Sequence, residues 1–155
     1  MQIRLLKKNE INKFQNFINS HYKKGHILSK SKKLVNFYYN FFNNKKYYLV
    51  GEFNKTKLLS VIGIIPYKNW DKNLSGTFFI ALWSKHKKIF SNPLKLLNFI
   101  LKKIKPKFLA TTGINLKTSG KIFKQFNKID MFENFYIKNE NLNEKISKNL
   151  KCVKI

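Results

Sequence analysis

The chain has 155 residues and carries 32 Lys+Arg against 7 Asp+Glu, a net charge of +25. That length suits one domain, and with 43% hydrophobic and 15% aromatic residues the chain is too apolar for a disordered basic tail. Cys152 is the only cysteine, which excludes a disulfide within the chain and a cysteine-based zinc site. Arg4 is the only arginine, so the charge is almost all lysine, a less directional partner for phosphate or guanine. With 20 Asn and 17 Ile beside those lysines, a drift toward A/T-rich codons accounts for the composition as readily as a polyanionic partner does.

Gln2–Lys7 reads as a first strand, followed by a helix capped by Asn9 with Ile11, Phe14, Phe17, Ile18 and Tyr22 on one face. Gly25 closes it. Ser29 or Ser31 opens a second helix with Leu34, Val35, Phe37, Tyr38, Phe41 and Phe42 apolar, ending at Asn43-Asn44. Tyr47–Phe53 and Leu58–Pro66 are β-rich runs joined by a hairpin at Asn54–Lys57, and Gly76–Ser84 is a third run. Asn92 then caps a helix with Pro93 at its first position and Leu94, Leu97, Leu101 and Ile104 at helical spacing. Pro106 stops that helix, Lys107–Ile114 returns as a strand, Thr118 opens a short helix, and Met131–Lys138 forms a last strand.

The order β-α-α-β-β-β-α-β-α-β predicts an α/β (α+β) fold with a mixed, mostly antiparallel central sheet and helices on both faces, parallel only across the helical crossover. Residues 1–138 form the domain, and 139–155 a polar C-terminal tail. The opening residues meet an acid at Glu10 and do not read as a secretory signal. The apolar runs fall short of a membrane span of ~20 residues, so a cytoplasmic protein is expected.

This order, together with His26-Ile27-Leu28-Ser29-Lys30, Ile62-Gly63-Ile64-Ile65-Pro66 and Ile80-Ala81-Leu82-Trp83, resembles the GNAT superfamily of acyl-CoA-dependent N-acyltransferases. Within it, the strings resemble GNAT-like proteins of bacterial surface-polysaccharide biosynthesis. The resemblance implies N-acyl transfer, most simply acetyl transfer, from acetyl-CoA or another acyl-CoA to a small amine such as an amino sugar. It further implies that the pantetheine arm lies along the strand at Leu82, Trp83 and Ser84. The pyrophosphate would lie at the following helix start, on Lys85, Lys87, Lys88, Ser91, Asn92 and Leu94.

The chain departs from the family pattern at two points. The glycines that bring backbone close to phosphate are replaced by Ser91 and Pro93, with Lys85, Lys87 and Lys88 as partial compensation. The tyrosine that protonates the leaving thiolate is matched by Phe123, which has no proton to give. As candidate catalytic residues we single out His26, at the break between the first two helices, and Asn115, which with Thr112 ends the strand Lys107–Ile114. His26 reads equally as a helix-terminus cap, and Asn115 as a strand end. His86, among lysines, reads as a base or a phosphate contact, and Tyr67 and Trp70 as contacts to an acceptor sugar. Two competing readings remain: a GNAT-like binding module that has lost its chemistry, and a basic nucleic-acid binder with Lys–aromatic interleaving such as Lys45-Lys46-Tyr47-Tyr48.

Overall fold

Two strands at the centre of the chain are buried along nearly their whole length, which requires cover on both faces of the sheet. They are β2 (Lys46–Asn54) and β3 (Lys57–Pro66). The computed structural model describes residues 1–40, 45–92 and 94–111. All of them fall in one compact unit, Met1–Gly113. The predicted last strand Met131–Lys138, the helix at Thr118 and the polar tail lie outside them, as do Phe41–Asn44, Pro93, Thr112 and Asn115.

β1 (Gln2–Lys7), β2, β3, β4 (Thr77–Lys85) and β5 (Phe108–Thr111) form one sheet in chain order. The first three pairings are antiparallel and β4 pairs β5 in parallel, as the element order predicts. The β2–β3 hairpin turns through Lys55, whose φ of +52 is the left-handed backbone that a two-residue turn asks for. Between β4 and β5 runs α4 (Leu94–Phe99), which continues as a π turn to Ile104 and ends on the left-handed Lys105, just before Pro106.

α1 (Ile11–Phe17), α2 (Ile27–Lys30) and α3 (Lys32–Tyr39) supply one side of the core. Phe14, Ile18, Val35 and Tyr39 are buried there with Leu49, Phe53, Val61 and Leu82 of the sheet. Strand residues of the other parity, Val50, Ile62 and Ile64, are buried outside that cluster, as are Leu96, Leu97 and Ile100 of α4. Helices therefore cover both faces, and the α+β sheet architecture expected from the sequence is the one observed.

Several local expectations change. Asn9 does not cap the first helix: it sits in a 3-10 turn, and the Glu10 carboxylate instead accepts the Lys7 N–H at 2.9 Å. Tyr22 is 45% exposed, because the helix loosens into a π turn at Ile18–Tyr22 and rotates it off the buried face. The second helix is two pieces, α2 capped by His26 and α3 capped by Ser31, and its inward residues are Val35 and Tyr39 while Phe37 faces solvent. In α4 the buried face is Leu96, Leu97 and Ile100, not Leu94, Leu101 and Ile104; the apolar residues run on both sides of the true stripe, so spacing alone does not phase it.

Arg4 shows why a lone arginine matters here. Its guanidinium forks onto Glu10 with two contacts of 2.7 Å and lies 4.0 Å above the Phe53 ring. Two parallel charge-assisted bonds tie β1 to the start of α1, a geometry lysine cannot reproduce. The Arg4 hydrogen bonds, opposed in part by burial, hold the Glu10 carboxyl down to about 2.

Candidate active site

Strand β4 is interrupted by one extra residue. Gly63 faces Leu82 and Ile64 faces Ile80, so Ala81 is bulged out of the β3 ladder. A bulge shifts the side-chain alternation by one. Phe79 before it and Leu82 after it both pack on the α1–α3 side, and between them Ala81 opens toward solvent.

Above that opening lies a cleft of about 470 Å³, a size suited to a small-molecule ligand. α2 and α3 wall it with His26, Leu34, Tyr38 and Tyr39, β4 with Phe79 and Ala81, and the turn after β3 with Tyr67 and Trp70. Gly63 makes room for this wall. A Cβ there would sit 2.7 Å from Cε1 of Tyr39 and 3.1 Å from Leu49, so the tyrosine ring occupies the space a side chain would take. Burial raises the Tyr39 hydroxyl well above the usual phenol value, keeping it protonated. Trp70, Tyr67 and Phe79 continue the wall edge to face, with centroids 5.4 and 6.4 Å apart.

His26 is placed by its backbone role. It caps α2, its Nδ1 accepting the Leu28 N–H at 3.2 Å, while Gly25 before it adopts φ +72 and donates its N–H to Asn19 at 2.8 Å. With Nδ1 occupied as an acceptor, the neutral ring carries its proton on Nε2. In this geometry His26 offers the cleft a donor.

The loop after β4 is organised differently. His86 is buried, and its Nδ1 accepts both Lys88 N–H at 3.1 Å and Ile89 N–H at 3.2 Å. Its ring stacks on His21 with centroids 3.8 Å apart. Burial, and then Lys57 and Lys88, hold His86 below the ordinary histidine value; burial, His86, Lys57 and Lys87 do the same to His21. Asn92 caps α4 as expected, its Oδ1 accepting Leu94 N–H at 3.1 Å. Ser91 is only 4% exposed, and its Oγ has no hydrogen-bond partner among the described residues.

The described residues singled out from the sequence thus divide into two groups, one at the cleft and one at the end of β4 and the loop after it. His26, Tyr67 and Trp70 come together at the cleft, with Tyr38, Tyr39 and Phe79, which spacing did not mark because they look like ordinary core aromatics. Lys85, Lys87 and Lys88 are exposed around His86, close in sequence to Ser91 and Asn92, whereas the Leu82 side chain is buried in the core. The described β4–β5 pairing runs from Thr77 to Ile80, opposite Phe108 to Thr111.

No protein-family model matches the chain, and no curated protein matches it in sequence. Among solved structures it is similar to a ribosomal-protein-alanine N-acetyltransferase from Brucella melitensis biovar Abortus 2308, with a TM-score of 0.58 at 10% identity, over 90% of this chain and 100% of that one. At that identity the likeness is one of fold: the chain has the GNAT-like mixed sheet on which N-acetyltransferases are built.

Proposed function

We propose that the protein is a cytoplasmic, acyl-CoA-dependent N-acyltransferase, most simply an N-acetyltransferase, acting on a small amine such as an amino sugar. The observation that carries this reading is an open, aromatic-walled cleft set on the bulged residue of β4 in a fold shared with an N-acetyltransferase. In this reading residues 1–138 are the catalytic domain and 139–155 its tail.

The residues after β4 suit an acyl-CoA in charge and in an orphaned polar atom. Lys85, Lys87 and Lys88 are solvent-facing with no acid among residues 85–92, and the Ser91 hydroxyl is without a partner among the described residues. Acetyl-CoA would supply the activated acyl group. Main chain at Leu82, Trp83 and Ser84 would hold its arm, and the lysines, Ser91, Asn92 and Leu94 its phosphates.

The chain's own groups then act on the amine. The positive surroundings disfavour its ammonium form, so a larger fraction enters as free base without a carboxylate to deprotonate it. His26 Nε2–H donates a hydrogen bond that orients it. The amine nitrogen forms the new N–C bond as the acyl C–S bond breaks; its surplus proton leaves to water, and water returns one to the departing sulfur. With Phe123 at the family's tyrosine position, that last protonation proceeds without a general acid, at a cost of ~10²–10⁴ in rate.

Calorimetric titration tests the reading. Acetyl-CoA is expected to bind with a Kd between micromolar and low millimolar; absence of heat up to millimolar cofactor would sink it.

A further inference from the structure

The chemistry of the cleft narrows the acceptor. Among the described residues, none that lines the cleft is an acid. Glu10 is bonded to Arg4 and Lys7, Glu52 is buried with the Ser60 hydroxyl at 3.0 Å, and Asp71, exposed on the outer loop, accepts Asn73 N–H at 2.8 Å with one oxygen. No described lining residue would therefore compensate a second positive charge on a ligand. The flanking charge is the opposite: Lys68 stands exposed between Tyr67 and Trp70, and the Lys30 ammonium lies 3.8 Å from where a Cβ of Gly25 would be, beside His26. The cleft mouth also carries Trp70, 55% exposed and set edge to face on Tyr67. A large aromatic surface left in water beside a cleft is a platform for the apolar face of a ring.

Resting on the acyltransferase reading above, we propose that the acceptor is an amine carried on a sugar-type ring that also bears phosphate, and that the cleft refuses amines carried on cations. The ring packs on Trp70 and Tyr67, the phosphate is drawn to Lys68 and Lys30, and the amine points down toward His26 and Ala81. A polyamine or a basic peptide would bring a second ammonium into an aromatic space with no acid among its described lining residues, within a strongly positive molecule, where its lost hydration is poorly replaced.

Four probe acceptors separate the possibilities: glucosamine 6-phosphate, glucosamine, spermidine and the peptide Ala-Lys-Lys, each with saturating acetyl-CoA, followed by release of free thiol. The expected order places glucosamine 6-phosphate at least tenfold above glucosamine in kcat/KM, and glucosamine above both cations. Raising the salt, or Lys68→Glu, should shrink the phosphate preference several-fold. Equal or faster turnover of spermidine or the peptide overturns the proposal. A second arm needs no cofactor: quenching of tryptophan fluorescence by glucosamine 6-phosphate, lost in Trp70→Phe. Quenching by the cations, or by none of the four, overturns it as well. If acetyl-CoA fails to bind but glucosamine 6-phosphate quenches, the acyltransferase reading falls and the specificity of the cleft stands.

Discussion

Strand β4 and the loop that follows it are built in opposite ways. Around Ala81, β4 faces an open cleft whose walls are aromatic and which His26 also lines. Five residues on, at His86, the chain closes on itself: one imidazole nitrogen holds two backbone N–H groups and the ring is stacked on His21. Both histidines spend Nδ1 on backbone N–H groups; what differs is placement, His86 buried in the fold and His26 lining the cleft, so the basic loop owes its shape to His86.

The comparison breaks most severely if the wall of the cleft is displaced. Gly63→Val places side-chain atoms inside the Tyr39 ring; it should cost about 1–3 kcal/mol or more and close the cleft, seen as a lower denaturation midpoint together with lost ligand binding. Arg4→Lys is next, since the fork onto Glu10 is replaced by a point charge, with an expected loss of about 1–2 kcal/mol. This pair also sets an acid limit. The Glu10 carboxyl is depressed to about 2 in the fold, so its stabilisation is fully present above the usual value near 4.5 and is lost as pH falls through that window; Arg4→Lys should flatten the acid limb of the stability profile.

His86→Ala leaves the Lys88 and Ile89 N–H groups without their acceptor. We expect a loss of about 1–2 kcal/mol and faster amide exchange at those two positions, with the cleft unchanged. His86 and the His21 ring stacked on it are held below their ordinary value, so their neutral forms stabilise the fold. That contribution is present above the unfolded value near 6.5 and is lost as pH falls through the depressed folded values, a slope His86→Ala should reduce. Trp70→Ala is the mildest change for the fold, within about 0.5 kcal/mol because the ring is more than half exposed, yet it should raise the acceptor KM several-fold.

The strands were legible because their signals are local: β-branched and aromatic runs for β2 and β3, a short turn at Lys55, turn residues before Thr77. The helix caps were legible where one side chain does one job, as at Asn92 and Ser31. What escaped depends on partners distant in the chain. Glu10 outcompetes Asn9 as the organiser of the first helix because Arg4 and the Lys7 N–H converge on it, and no spacing rule reads that fork. Tyr39 is drawn over Gly63 by a glycine 24 positions away, and the bulge at Ala81 exists only as a mismatch between two strands. For the cleft, the sequence pointed to His26, Tyr67 and Trp70 individually; their convergence is a property of the sheet.

The central claim, that β4 and the loop after it hold an acyl-CoA, is tested most directly by amide hydrogen exchange with and without acetyl-CoA. We expect slowed exchange at Leu82, Trp83 and Ser84 and through Lys85–Asn92, with β1 and β2 unaltered. Unchanged exchange along β4 and its loop at saturating acetyl-CoA would contradict it.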